Sequence, residues 1–599
     1  GLTGVAHYND MLFSVGTYPT GSMRDWYKEN SYGQFEVEGE ASGGPTGWYR
    51  APRRYSYYVG DNNGTGAYPN NAQRLVQELV LLADPLVDFS LYDNDHDGNV
   101  ESLFVVHSGP GAEATGSRDD IWSHMWSLDG LPNGGAPLVD GVRVTNYSIE
   151  PEDGRIGVFC HEYGHILGAY DLYDYGHDVA GYDSAGLGVW SVMAGGSWGA
   201  DYNSDDRPAH FDPYHKIQFG WIKPTVLGEA QTGVSLPDVE THATVYKLWK
   251  NGRPGSEYFL VENRQKLGFD TLLYGAGLLI YHVDEAKFAS TVNDQEWYPG
   301  TNRARHYAVA LQQADARWDL EHNFNVGDAG DPYPGTANNR SFAFNSAPDS
   351  ASYLAGPSGV QITGISDSLG TMTADLAVAT PAQVTWYVRA DAVGLGNGAT
   401  PETAFATVNQ ALSAAQNGDT ILVAPGVYAE RLDFVGKRVT VTGSNPSDPG
   451  VVAATIIRGP TGGASVRFAT AETGASVLRG LTITHLSGAN GSGVYIAGAS
   501  PRLEDCVIRD NVLDLGGEEL CFGAGVHIRD GANPVLLRCT LANNSGDYGA
   551  GLCVLLASAT LRDSTFTNNR ATYEGGGVFL RDCGDTVVID NCQFTGDEA

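Results

Sequence analysis

The segment His161-Glu162-Tyr163-Gly164-His165-Ile166-Leu167-Gly168-Ala169-Tyr170-Asp171 concentrates residue types that can hold and use a divalent metal. Residues four apart share one face of an α-helix, so His161 and His165 can offer imidazole nitrogens to one ion. Zinc takes such nitrogens at about 2.0–2.1 Å, and a catalytic site keeps three protein ligands and one position for water. Glu162 flanks that face, where it can take a proton from a metal-bound water and pass it to a leaving amine. Gly168 can adopt the left-handed backbone that ends a helix. The turn brings Asp171 back towards the metal as third ligand, with Asp174 and Asp178 as alternatives. Cys160 precedes the first histidine, points away from the metal face and reads as a small buried thiol. Together these parts predict hydrolysis of a polarised carbonyl by metal-activated water.

Elements must hold these groups in place. Phe159, Tyr163 and Ile166 recur at the helical period around the histidines, so the helix is expected to be buried. Leu75, Leu79 and Leu82 mark a helix over Asn71 to Ala83, and Leu103 to Val106 is a short apolar run typical of a buried strand. Downstream, Ser191-Val192-Met193-Ala194-Gly195-Gly196 places a methionine in a glycine-containing turn, which metzincin-type proteases set beneath their zinc. Residues 1–224 thus read as an α/β metzincin-like zinc protease domain that exits at Gly220-Trp221-Ile222-Lys223-Pro224. Within it, Asp93, Asp95, Asp97 and Glu101 alternate around Gly98 like the oxygens of an EF-hand loop. The twelfth position of that loop is Phe104 and no flanking helix pair is visible, so a calcium loop of the domain is expected rather than an EF-hand.

Residues 225–380 read as a β-rich, sandwich-like accessory domain. Strand-like runs are Thr244–Leu248, Tyr258–Glu262, Leu278–His282 and Ala308–Gln312. His282, Asp284 and Glu285 cluster there, as do Asp328 and Asp331, with structural or calcium roles expected. Residues 381–599 repeat. A Gly-x-Gly-Val/Leu unit has its second glycine at 493, 525, 551 and 577, at intervals of 32, 26 and 26. A second register carries Cys506, Cys539, Ser564 and Cys592, followed in two units by Asn543-Asn544 and Asn568-Asn569. Short strands at such a period predict a parallel β-solenoid, with the cysteines and Ser564 as an inward file of small residues. A capping helix is expected over Phe405–Ala415, ahead of a first coil beginning at Gly418.

The composition sets outer limits. There are 71 acidic and 36 basic residues, a net charge of −35, which argues against nucleic acid or an anionic membrane as partner. Hydrophobic residues make up 42%, enough for packed cores, and no apolar run reaches bilayer length. Of seven cysteines, six lie between 506 and 592, where stacked free thiols are at least as well founded as disulfides.

These motifs resemble the immune inhibitor A family of secreted bacterial metalloproteases, whose H-E-x-x-H-x-x-G-x-x-D pattern here reads HEYGHILGAYD. SMRDWYKENSYGQF, DNDHDGNVESLFVVHSGPGAE, DDIWSH, GVWSVMAGGSW, PAHFDPYHKIQFGW, EYFLVENRQ, GAGLLIYHVDE and GDAGDPYPG extend the resemblance over roughly residues 1–375. It implies His161, His165 and Asp171 as zinc ligands, Glu162 as general base, protein or peptide substrates, and an extracellular location. It implies as well a prosegment and an opening strand before Gly1, so the chain is expected to be incomplete or processed there. The oxyanion group is left open among Tyr170, Tyr214 and His215, because Gly195 stands where astacin-like enzymes carry a tyrosine. The solenoid resembles the right-handed β-helix of pectin-lyase-like proteins and is expected to continue past Ala599. Lys437 is its sole lysine and no acidic–basic constellation recurs. A surface polysaccharide or cell-surface partner, or a spacer role, is therefore a better expectation than lyase catalysis, which needs a base beside a uronate. A third alternative, a protease fold kept for binding, sits poorly with the intact HEYGH motif.

Overall fold

The computed structural model describes residues 3–132, 135–174, 184–289, 293, 305–353, 356–379, 383–393, 396–460, 462–485, 492–513, 522–583 and 587–599. The chain forms two compact units, Gly1–Pro381 and Ala382–Ala599.

The first unit is built around a small mixed sheet. Asn146–Pro151 lies at its centre, parallel to Leu103–His107 on one side and antiparallel to His124–Ser127 on the other. The helix Ile156–Ile166 packs against this sheet, with Ile156, Phe159 and Cys160 fully buried. Tyr163 extends the same apolar face and stacks on Phe104 at 5.7 Å between ring centroids. The helix stops in a Schellman motif. Ala169 N donates to Gly164 O at 2.9 Å, Gly168 N donates to His165 O at 3.0 Å, and Gly168 has φ +94°. Helix Ala72–Ala83 is capped by the Asn71 side chain, which accepts from Arg74 N. Its buried stripe is Leu75, Val76 and Val80. Leu82, expected on that stripe, is exposed, because the core face is centred on the valines rather than on the leucine spacing.

Besides the two-stranded hairpin of Leu138–Val139 and Val142–Arg143, this unit has two larger sheets. Five strands run in the order Val309–Leu311, Gly277–Asp284, Glu257–Arg264, Tyr246–Trp249 and Thr225–Val226. Four antiparallel strands, Ser341–Phe342, Gln361–Thr363, Thr371–Ala377 and Gln231–Pro237, face them across a core of Val234, Leu236, Phe259, Val261, Ile280 and Met372. Every residue of Glu257–Arg264 is buried. Successive side chains point to opposite faces of a strand, so Phe259 and Val261 enter the sandwich core. Tyr258 and Leu260 join Met193, Trp190 and Phe159 in the other. Residues on both sides of 224/225 therefore share this second core, whereas the sandwich core lies wholly beyond it.

Among the described residues, the second unit is a parallel coil of three large sheets with eight, seven and six strands and a small fourth sheet of Ser545–Tyr548 and Arg570–Glu574. Helix Val408–Ala414, shorter than the expected 405–415, carries a capping box of Thr407 and Gln410 and buries Val408, Ala411 and Leu412 against the first turns. Asp505, Arg538, Asp563 and Asn591 have φ of 50–53° before strands in register (Val507, Thr540, Thr565, Gln593), so one left-handed corner recurs in each coil. Cys506, Cys539, Ser564 and Cys592 form the file that follows this corner, and the described cysteines are free thiols. Cys521 lies outside the described residues. Asn511, Asn544 and Asn569 are fully buried and bond in series at 2.9 Å. Asn569 then donates to Asp597 at 2.8 Å. A helix long and apolar enough to cross a membrane is absent among the described residues.

Candidate metal centre

His161 and His165 lie one turn apart on the buried helix, with ring centroids 4.9 Å apart. Their Nδ1 atoms face backbone carbonyls, Val192 O at 2.8 Å and Ala169 O at 3.0 Å. A carbonyl only accepts, so each Nδ1 carries the proton and each Nε2 is left as a lone pair in the neutral ring. Both Nε2 atoms turn to Asp171 Oδ1, at 3.0 and 3.3 Å. Two lone pairs and a carboxylate oxygen within 4.8 Å of one another need a positive charge between them, and this donor set suits a divalent ion. The carboxylate and the two imidazoles also act on one another electrostatically. Burial lowers the histidines, but the Asp171 carboxylate overrides it and raises both, His165 to about 9. Burial raises Asp171, and the two imidazoles outweigh that, holding it far below the usual carboxylate range.

Glu162 is buried at the flank of this cluster. Burial lifts its carboxyl above the ordinary value, against the pull of His161 and His165. Met193 packs under the helix at Gly164, where an added Cβ would lie 2.8 Å from its Sδ. A glycine inside the motif is thus what lets the turn approach. The turn is tied to this cluster by its backbone as well: Val192 O accepts from His161 Nδ1, and Met193 O accepts from Leu172 N at 2.7 Å.

Of the alternative third ligands, Asp174 lies outside the cluster and accepts from Ser184 Oγ at 3.1 Å. Asp178 is outside the described residues. His215 is removed from the oxyanion candidates. It is fully buried, with Nδ1 on Asp212 Oδ2 at 2.7 Å and Nε2 accepting from Tyr170 N at 3.0 Å. Tyr214 stacks on Phe288 at 4.7 Å, whereas Tyr170 keeps an exposed ring. The role of Asp212, Ser191 and His215 was missed from sequence. Asp-Pro-x-His is nevertheless a readable signal, an N-cap aspartate with proline at the first helical position.

Asp93, Asp95 and Glu101 bring carboxylate oxygens within 4.8 Å of one another, and Asp97 stays outside that set. Its Oδ1 accepts from Asn99 N at 2.8 Å and Asn99 Nδ2 at 3.0 Å, which closes the turn instead. A second acidic group joins Asp315, Asp319 and Asp328. Asp331 accepts from Trp190 Nε1 at 2.9 Å. His282 pairs with Glu257 at 3.1 Å, Asp284 with His306 at 2.9 Å, and Glu285 accepts from Tyr258 Oη, so that cluster is internal scaffolding.

Residues 4–222 match the model of the immune inhibitor A peptidase M6 catalytic domain, and residues 445–599 match that of the right-handed β-helix region. Pre-pro-metalloprotease PrtV of Vibrio cholerae is 33% identical over 289 residues, 42% of this chain and 30% of that protein. Immune inhibitor A of Bacillus thuringiensis subsp. alesti is 32% identical over 249 residues, 36% of this chain and 34% of that protein. The matched region thus spans about a third of each relative's length. Among solved structures, a pectin methylesterase from Aspergillus niger aligns at 13% identity with a TM-score of 0.22, covering 37% of this chain and 86% of that one. Pectate lyase Pel9A aligns at 14% with a TM-score of 0.19, covering 35% and 62%. Scores this low bear on neither fold nor function. The chain thus carries a region similar to the immune inhibitor A (M6) peptidase catalytic domain over residues 4–222, followed by one similar to the right-handed β-helix region over residues 445–599.

Proposed function

We propose that the first unit is a secreted zinc endopeptidase in which His161, His165 and Asp171 hold the metal and Glu162 is the general base. The observation that carries this reading is the convergence of two Nε2 lone pairs and Asp171 Oδ1, with both Nδ1 protons committed to carbonyls. Bound there, zinc supplies a Lewis acid that lowers the pKa of a coordinated water and polarises a peptide carbonyl. Glu162, desolvated and raised, takes the proton of the attacking water and delivers it to the leaving amine. The strand His124–Ser127 is an edge of the mixed sheet and offers backbone groups to an extended peptide by strand addition. Adjacent to it, Glu113 accepts from Ser123 N at 3.1 Å and adds negative charge near Glu162.

Asp93, Asp95 and Glu101 are proposed as a calcium loop, with Asp97 as the group that closes its turn.

Purified protein is expected to contain about one zinc per chain and to digest casein, with a chelator abolishing the digestion. Glu162→Gln should keep its zinc while kcat falls about 10²- to 10⁴-fold. Full activity in that variant would rule out the mechanism.

A further inference from the structure

We infer that His215, held by Asp212, is a positioning residue for the third metal ligand: it fixes the backbone from which Asp171 reaches the centre. The inference rests on the proposed assignment of Asp171 as a ligand.

Asp212 caps the helix Pro213–Gln218, its Oδ1 accepting from His215 N at 3.1 Å. Its Oδ2 accepts twice, from Ser191 Oγ and from His215 Nδ1, each at 2.7 Å. Asp212, His215 and Ser191 are all fully buried. A carboxylate only accepts, so the imidazole proton is on Nδ1, and Nε2 presents a lone pair. Tyr170 N–H donates to that lone pair at 3.0 Å. A backbone amide normally finds a carbonyl. Here the chain has just left a Schellman turn and a histidine 45 residues away accepts the bond instead.

The neighbours of Asp171 are anchored in the same way. Ala169 O is held by His165 Nδ1 at 3.0 Å, and Leu172 N by Met193 O at 2.7 Å. Ser191 Oγ, besides donating to Asp212, accepts from Met193 N at 3.1 Å. One buried carboxylate therefore references the turn beneath the histidines and the segment bearing the third ligand to a common frame. Removing the imidazole acceptor leaves the Tyr170 amide unpaired and frees Asp171 to wander. Groups that orient metal ligands typically cost 10- to 100-fold in metal affinity when lost.

The test uses the full chain and titrates Zn2+ against a chromophoric chelator. Two amides separate the functions of the ring. His215→Asn places its amide where Nδ1 stood, keeping the bond to Asp212 and losing the reach to Tyr170. His215→Gln places a carbonyl oxygen near Nε2 and can accept from Tyr170. His215→Asn is expected to bind zinc at least 10-fold more weakly, and His215→Gln within about threefold of wild type. A merely structural histidine would lower Tm in both variants without separating their zinc affinities, and that result would overturn the proposal. Hydrogen exchange on the wild-type chain needs no variant. The Tyr170 amide should be protected, and fast exchange there would also overturn it. Asp171→Asn distinguishes the two readings. Wild-type zinc affinity in that variant removes Asp171 from the ligand set and the positioning role with it. Lost zinc in Asp171→Asn beside unchanged zinc in His215→Asn removes the positioning role alone.

Discussion

Glu321 shows what burial does to a single carboxyl in this unit. It is 1% exposed, and burial pushes its carboxyl up to about 8, with Gln313 Nε2 donating to it at 2.6 Å. A raised folded-state value means that the folded chain binds the proton more tightly than the unfolded one. Its contribution is full below about pH 4 and is lost as pH rises through about 8. Urea denaturation in the presence of chelator should show stability falling between those limits. Glu321→Gln should flatten the fall by on the order of 5 kcal/mol, and an unchanged pH profile would contradict the shift. At this scale the histidines were legible because a helix turns their spacing into a shared face with Glu162 at its flank, and Met193 because it stands in a glycine-containing turn. Glu321, Asp212 and His215 were not, since their partners are set by tertiary contacts that leave no period in the sequence. Asp97 shows the converse: its alternating place in the loop looked like a ligand position, but its carboxylate lies outside the group formed by Asp93, Asp95 and Glu101.

Short elements in the solenoid derive their stability from stacking, and the buried asparagines show how. Asn544 Nδ2 donates to Asn569 Oδ1 at 2.9 Å and to Ile508 O at 3.0 Å, while its Oδ1 accepts from Asn511 Nδ2 at 2.9 Å. The Asn544 side chain thus ties the coil before it to the coil after it. Asn544→Ala should cost about 2–3 kcal/mol, because it leaves buried partners in two neighbouring coils unsatisfied. Asn543, next to it, is exposed with φ 57°. Asn543→Gly keeps that backbone available and should change stability by less than about 0.5 kcal/mol. Equal losses in the two variants, read from thermal melts of the chain, would show that the ladder carries no special share. The repeat itself was legible from the glycine and asparagine intervals, since every coil must solve the same packing problem. That the second asparagine of each pair turns inward was not, because the first occupies a left-handed corner set by the stacking of the coils. Leu82 failed for a related reason: leucines three and four apart suggested a face, but Val76 and Val80 set it.

Across the whole chain, the cut between units falls at Pro381/Ala382, and the region before it behaves as one piece. The glycine and proline near 220–224 suggested a domain exit, and beyond it Tyr258, Leu260, Leu279 and Tyr281 join a core shared with residues before it. The clue was already present in EYFLVENR: a strand buried on one face alternates, whereas this one is apolar or paired throughout. Arg264 at its end is fully buried, bonded to Asp270 Oδ1 at 3.1 Å and reaching the carbonyls of Trp190 at 3.4 Å and His210 at 3.3 Å. It thereby braces the segments that flank Met193. A chain cut after residue 224 would expose the faces covered by Tyr258, Leu260, Leu279 and Tyr281 and leave those carbonyls without their guanidinium. Residues 1–381 are therefore expected to unfold in one cooperative transition and to bind zinc as the full chain does, with casein digestion retained. Residues 1–224 are expected to give no cooperative melt and no stoichiometric zinc. A folded, zinc-binding 1–224 fragment would show that the shared core is dispensable and that the sandwich is a separable accessory.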